Sequence, residues 1–144
     1  MSAEPSGRTH RVVVYSDDPA VRDRVRSSVG RRPAGDLGRL EWVDCSTGAE
    51  VLAAVDAGGV EVAVLDGEAW PTGGMGLAKQ MKDELEDCPA TLVLVARKAD
   101  AWLATWSLAD AVLPQPIDAV ELAAGVCGLL RQRGSGLPVR RVTR

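Results

Sequence analysis

Two short segments of the chain are apolar at nearly every position, which restricts the folds that it can adopt. Residues 60–65 read VEVAVL, and residues 91–96 read TLVLVA. A strand with one face in water alternates apolar and polar side chains, whereas a strand that is buried on both faces does not alternate. Both segments are therefore predicted to be strands of a sheet with helices on both sides.

Three more strand candidates, together with the segments between them, complete an alternating pattern. The five strand candidates are residues 11–15, 40–44, 60–65, 91–96 and 111–113. Between the strands, apolar residues recur about every four positions, which is the helical period, as at Val21, Val25 and Val29. Parallel neighbours need crossover connections, and helices supply them. We predict an α/β fold with a doubly wound, five-stranded parallel sheet and five helices.

Capping residues mark the starts of predicted helices. Asp18 can cap the first helix, and Pro19 suits the first helical position because it has no amide hydrogen that needs a partner. Thr47 and Glu50 have the spacing of a capping box before the second helix. The fourth helix is predicted over about residues 100–108.

The composition is that of one domain without cross-links. The 144 residues are 46% hydrophobic but include no Phe, so the core must consist mainly of Val, Leu and Ala. Cys45, Cys88 and Cys127 are far apart and lack metal-ligand spacing, so neither a disulfide framework nor a zinc site is predicted. No segment has the ~20 apolar residues of a membrane span, and we expect a soluble cytoplasmic protein with no membrane contact.

Composition also divides the chain into three parts. Residues 1–9 are expected to be a disordered extension, residues 10–131 the folded domain, and residues 132–144 a basic flexible tail. Residues 131–144 contain five arginines and no acid, but no aromatic residue or nucleic-acid-binding motif, so we favour a solvated tail over nucleic-acid binding. His10 is the only histidine and is expected at the surface.

Acidic residues follow the first and third predicted strands. Asp17 and Asp18 follow the first strand, and Asp66 follows the third. In a doubly wound sheet, ligands bind outside the carboxyl ends of the strands, where these side chains are expected to converge. Taken singly, Asp18 suits a helix cap and Asp66 suits a turn. Taken together, they favour a pocket for a hard cation such as Mg²⁺.

These features resemble the receiver domain of two-component response regulators over roughly residues 10–131. The resemblance implies a flavodoxin-like fold with strand order 2-1-3-4-5. The matching positions are Asp17–Asp18, Asp66, Pro71, Gly76–Leu77 and Gln115–Pro116.

The resemblance also implies roles for the pocket residues. In receivers, the third-strand aspartate accepts a phosphoryl group from a sensor histidine kinase. Mg²⁺ is held by the acidic pair, the acceptor and the backbone carbonyl two residues beyond it. Asp66 is then the phosphoacceptor, and the implied metal ligands are Asp17, Asp18, Asp66 and the carbonyl of Glu68.

Three positions depart from the receiver pattern. The Thr or Ser that usually ends the fourth strand is replaced by Val95 or Ala96, which have no side-chain donor. The usual lysine aligns with Gln115, a neutral donor, and the usual switch aromatic aligns with Val112. The sequence therefore predicts a stand-alone, atypical receiver, not an enzyme, that works mainly by binding proteins and whose phosphorylation is weakly coupled to the distant surface.

Two tryptophans on the predicted fourth helix provide a candidate binding surface. Trp102 and Trp106 are four residues apart and therefore share a helix face, which either fills a core that lacks Phe or binds a partner. In receivers, the fourth helix and fifth strand form the common surface for homodimers and effector proteins, which would also include Val112.

Other functions stay open at the level of sequence. They are a phosphorylation-independent pseudo-receiver adaptor, a nucleic-acid binder that uses the arginine tail, and a Mg²⁺-dependent phosphatase with Asp66 as nucleophile. The phosphatase is less favoured because Glu68 replaces the second aspartate that such enzymes use as acid and base. The glycine-rich residues 72–76 lack the known phosphate-loop motifs, so no nucleotide cofactor is expected.

Overall fold

A computed structural model describes residues 8–97 and 102–135 of the chain. Most of the predicted terminal segments lie outside these residues. In the described part, the first strand begins at Thr9 and the last helix continues to Ser135.

The sheet has the predicted five parallel strands. They are β1 (Thr9–Tyr15), β2 (Arg39–Cys45), β3 (Val60–Asp66), β4 (Ala90–Val95) and β5 (Ala111–Pro114). Their order across the sheet is β2-β1-β3-β4-β5, which confirms the predicted order. Every residue of β3 and β4 is buried, as the continuous apolar runs predicted.

Helices connect successive strands in the described part of the chain. They are α1 (Pro19–Val29), α2 (Gly48–Asp56), α3 (Gly74–Glu84), α4 (Trp102–Ser107) and α5 (Ala119–Ser135). Four of them have nine or more residues, whereas α4 has only six and is shorter than predicted. Leu108, which was predicted to belong to α4, has a φ of 63°, a left-handed conformation that does not continue a right-handed helix.

The predicted caps are present, with one change. The Asp18 carboxylate accepts a hydrogen bond from the amide of Ala20, 2.9 Å away, at the start of α1. The Thr47 hydroxyl accepts from the amide of Glu50 at the start of α2. The Glu50 carboxylate, however, accepts its main return bond from the amide of Ser46, 2.6 Å away, one residue before the expected Thr47.

Side chains on the two faces of the sheet form separate cores. Val12 and Val14 of β1 point towards α1 and α5, whereas Val13 and Tyr15 point towards α2 and α3.

All three cysteines are free. Burial, with smaller contributions from nearby Glu50 and Asp44, raises the pKa of the Cys45 thiol to about 11. No helix in the described residues is both long and apolar enough to cross a membrane.

His10 does not lie at the surface, contrary to the prediction. It belongs to β1, is 4% exposed, and its Nδ1 lies 3.0 Å from the carboxylate of Glu61 on β3. Arg8 donates to the same carboxylate oxygen over 3.2 Å. The single acidic residue in the apolar segment VEVAVL is therefore buried with two basic partners, at the end of β3 opposite to Asp66.

Candidate functional site

The predicted pocket residues meet at the carboxyl edge of the sheet. A cleft of about 500 Å³ opens there between the loops that follow β1, β3, β4 and β5. Its lining residues are Asp17, Asp18, Val21, Asp66, Glu68, Ala96, Gln115 and Pro116. Alternating strands and helices bring these distant residues together, because parallel strands all end at the same edge.

Neutral donors surround the carboxylate of Asp66, the last residue of β3. Its Oδ1 accepts from the backbone amide of Glu68 at 2.9 Å and from the side-chain amide of Gln115 at 3.2 Å. Its Oδ2 accepts from the hydroxyl of Ser16 at 2.8 Å. Asp66 is only 4% exposed, and a buried carboxylate is costly without such bonds. These three bonds hold it in one orientation, and all three donors are neutral.

The predicted acidic pair is divided between two tasks. The carboxylate of Asp17 accepts from the backbone amide of Trp70 at 3.0 Å and so ties the loop after β1 to the loop after β3. The carboxylate of Asp18 caps α1. No group of three or more His, Cys, Asp or Glu side chains within the described residues is arranged to hold a metal ion. Asp17, Asp18 and Asp66 nevertheless all line the same cleft, and the ligand set expected from the sequence stays a prediction.

The three departures from the receiver pattern occupy different environments. Gln115 reaches Asp66, as predicted for a neutral substitute at that position. Ala96 lines the cleft, whereas Val95 is fully buried in the core on the α3 side of the sheet. The position next to the pocket at the end of β4 is thus Ala96. Val112 is half-buried and packs against the same core as Val95.

Ser16 is a site residue that the sequence reasoning did not identify. It follows the last residue of β1, is fully buried, and contacts Asp66 directly. Ser16 has no carboxylate, and its position directly after β1 is the sequence signal that marks it as a site residue. Its hydroxyl oxygen also accepts from the backbone amide of Asp18 at 3.0 Å.

The loop after β3 packs closely against the end of that strand. The hydroxyl of Tyr15 donates to the carbonyl of Thr72 in this loop. Burial, together with the negative charges of Asp17 and Asp66, raises the pKa of Tyr15, so the hydroxyl remains a donor. At the start of α3, Gly74 lies directly against the backbone of Asp66. Contacts from the loop and from α3 therefore fix the end of β3 that carries Asp66.

The tryptophans near the site face solvent. Trp70 is 75% exposed, and Trp102 and Trp106 on α4 are 70% and 56% exposed. Of the two interpretations offered for the α4 pair, the one in which they fill the core is wrong. The ammonium of Lys79 on α3 lies 5.8 Å from the centre of the Trp106 ring, which is a cation–π distance.

Comparisons with known proteins point to one family. No family model matches the sequence. Two curated proteins of Mycobacterium tuberculosis, each named an uncharacterized response regulatory protein, are 50% identical to the chain over 121 residues, or 84% of this chain and 91% of the relative.

Solved structures have the same fold at lower identity. The receiver domain of the Francisella response regulator 1452 aligns with a TM-score of 0.73 and 18% identity, over 86% of this chain and 98% of its own. The response regulator TrrA of Thermotoga maritima, in complex with Mg²⁺ and BeF, aligns with a TM-score of 0.68 and 22% identity, over 83% and 98%. These likenesses agree with the strand order of the sheet. Together with the relatives that share half of its residues, they establish that the chain belongs to the response-regulator family of two-component systems and folds as its receiver domain.

Proposed function

We propose that Asp66 is the phosphoacceptor of this receiver and that the chain signals by binding other proteins, without catalytic turnover. The observation that carries the proposal is the Asp66 carboxylate itself, held at the floor of an open cleft by three neutral donors. One carboxylate oxygen would attack the phosphorus of a phosphohistidine on a sensor kinase. The bond to the imidazole nitrogen breaks, and an acyl phosphate forms on Asp66.

Divalent-cation binding is the second part of the proposal, with a smaller ligand set than the sequence predicted. The carboxylates of Asp17 and Asp66 and the backbone carbonyl of Glu68 would hold Mg²⁺. Two carboxylates suffice, because Mg²⁺ keeps several waters and takes further ligands from the phosphoryl group. When bound, the ion offsets negative charge on the transferred oxygens. Asp18 also lines the cleft, but its carboxylate is held by the helix cap, so we place it second to Asp17 and Asp66 as a ligand.

The phosphorylated state is expected to be coupled weakly to the rest of the domain. No Lys or Arg lines the cleft in the described residues, and Ala96 offers no hydroxyl. The phosphoryl group would therefore meet the neutral amide of Gln115, where a charged donor would bond it more strongly. This feature supports an atypical receiver, and a phosphorylation-independent adaptor is the alternative if the site is inactive.

Tryptophan fluorescence during a titration with Mg²⁺ and then with beryllofluoride tests the phosphoacceptor proposal. Trp70 is the reporter, because its backbone amide is bonded to Asp17. We expect Mg²⁺ to change the emission and beryllofluoride to change it further in the wild type. In the Asp66→Asn variant, the beryllofluoride response should be absent.

Asparagine is the appropriate control because it keeps the bonds that position the side chain. Its amide oxygen can still accept from Glu68 and Gln115, and its amide nitrogen can donate to the hydroxyl of Ser16. A beryllofluoride response of wild-type size in Asp66→Asn would refute Asp66 as the acceptor. No response in either protein, without Mg²⁺ binding by calorimetry, would favour the adaptor.

We further propose that Trp102 and Trp106 form a protein-binding surface, for which a second copy of the chain is the first occupant to test. Large aromatic side chains contribute much of the affinity at protein interfaces. Replacing both by alanine should leave thermal stability nearly unchanged, because the side chains are mostly exposed. Self-association should weaken by roughly tenfold or more in sedimentation analysis with beryllofluoride present.

The matched control is Val120→Ala, which truncates an equally exposed apolar side chain on α5. An unchanged association constant in the tryptophan variant, or an equal loss in the control, would exclude the α4 tryptophans as a self-association surface.

A further inference from the structure

Ser16 occupies the position next to Asp66 where a further carboxylate would add a ligand for a cation. We infer that the Ser16 hydroxyl is a positioning group that satisfies Asp66 without a cation and so keeps the Mg²⁺ affinity of this receiver low. The inference rests on the proposed function, because it concerns the same Mg²⁺ site. It assigns to Ser16 a role that none of the predicted site residues has.

The hydrogen bonds of Ser16 determine the direction in which its proton points. The hydroxyl oxygen accepts from the backbone amide of Asp18 at 3.0 Å. Its own proton is therefore available for the Oδ2 of Asp66, 2.8 Å away. Ser16 is fully buried, so water does not compete for either bond. The result is a short chain of bonds from the amide of Asp18 through Ser16 to the carboxylate of Asp66.

The same oxygen of Asp66 is the one left for a cation. Among the described residues, Oδ1 accepts two bonds, from Glu68 and Gln115, whereas Oδ2 accepts one, from Ser16. A carboxylate oxygen has about two lone-pair positions. A cation would therefore bind on the Ser16 side of the carboxylate. Its binding free energy there would be less favourable, because the hydroxyl already bonds Oδ2.

Few carboxylates are available to a cation on the Ser16 side of the cleft. Of the two acids after β1, Asp18 caps α1 and Asp17 accepts from the amide of Trp70, so each carboxylate already has a backbone partner. Cation affinity at oxygen sites rises with the number of ligand charges. A carboxylate at position 16 would add one charge next to Oδ2, which would repel Asp66 in the absence of a cation and attract the cation when it is present.

Calorimetric Mg²⁺ titration of the full chain carrying Ser16→Asp tests the inference, with Ser16→Asn as a matched control of the same size and no charge. We expect Ser16→Asp to bind Mg²⁺ about tenfold more tightly than the wild type, and Ser16→Asn to bind no more tightly. Thermal melting is the second readout. Without Mg²⁺, Ser16→Asp should melt below Ser16→Asn, and added Mg²⁺ should raise its melting temperature more than that of the wild type.

Unchanged Mg²⁺ affinity in a folded Ser16→Asp variant would overturn the inference. If that variant does not fold, Ser16→Ala replaces it, since removing the hydroxyl should raise Mg²⁺ affinity, and an unchanged affinity would count against the inference. A loss of about tenfold in Ser16→Ala would identify the hydroxyl as a ligand and so contradict its assigned role. The proposed metal site fails separately if Asp66→Asn binds Mg²⁺ as tightly as the wild type does.

Discussion

Replacement of Gly74 by valine is expected to lower the free energy of unfolding by about 3 kcal/mol, at the upper end of the usual cost of overpacking a core. A Cβ atom at this position would lie 2.8 Å from both the carbonyl carbon and the carbonyl oxygen of Asp66, and 2.9 Å from the carbonyl carbon of Leu65. These are backbone atoms of the central strand β3, which cannot move without disturbing its neighbours. The whole start of α3 must therefore shift away from the sheet.

The expected loss of stability in Gly74→Val has a steric cause and not a conformational one. A substitution at a second glycine of the same helix, Gly76, tests this. Gly74 is not among the glycines with positive φ, so its backbone suits other residues. Gly76 also lies in α3, but a Cβ there meets no atom within 4 Å. Alanine at position 76 should therefore stabilise the domain by about 0.5–1 kcal/mol, through helix propensity.

Urea unfolding followed by circular dichroism measures both effects. Equal stability of the two variants would mean that the start of α3 does not press on Asp66. Because the helix start packs against the backbone of Asp66, the Gly74→Val variant should in addition lose part of its beryllofluoride response under conditions where it is still folded.

The parts of the fold that the sequence predicted are those that depend on local chemistry. The continuous apolar runs of β3 and β4 require burial on both faces, and the cap at Asp18 needs only the next few residues. The placement of Asp66 at the carboxyl edge follows from the alternation of strands and helices. Such features do not depend on which distant side chains become neighbours.

Features that depend on pairing between distant residues were not predicted. His10 and Glu61 are 51 positions apart, and only the alignment of β1 beside β3 makes the pair buried. Likewise, the sequence shows two adjacent acids after β1, but it does not reveal that Asp18 turns to the helix while Ser16 turns to Asp66. The acidic residues in the sequence indicated a cation pocket. Which side chains contact Asp66 depends on the direction of each side chain, which the sequence does not show.

The tryptophans show that composition alone does not determine which residues fill the core. Because the chain has no Phe, two interpretations of the α4 tryptophans were open, filling the core or binding a partner. The core is in fact filled by aliphatic side chains with Tyr15 and Met81 among the largest, so Trp102 and Trp106 are not needed there. Composition limits what a core can contain, but it does not require that every large residue be used.

Replacement of Gln115 by lysine is expected to strengthen beryllofluoride binding by about tenfold. The side-chain amide of Gln115 lies 3.2 Å from Oδ1 of Asp66, in a half-buried position on the wall of the cleft. A lysine ammonium there would meet the negative charge of a phosphoryl group or its mimic. Hydrogen bonds to charged groups contribute about 1.5–3 kcal/mol, against about 1 kcal/mol for neutral pairs, and tenfold in affinity corresponds to about 1.4 kcal/mol.

Methionine at position 115 is the control, because it has a similar length and no donor. It should bind beryllofluoride more weakly than the wild type, since the amide bond to Asp66 is lost. Fluorescence titration at constant Mg²⁺ orders the three proteins, and the expected order of affinity is lysine, glutamine, methionine. If all three bind alike, position 115 does not contact the phosphoryl group. The weak coupling proposed for this receiver would then depend on Ala96 and on the absence of a hydroxyl at the end of β4.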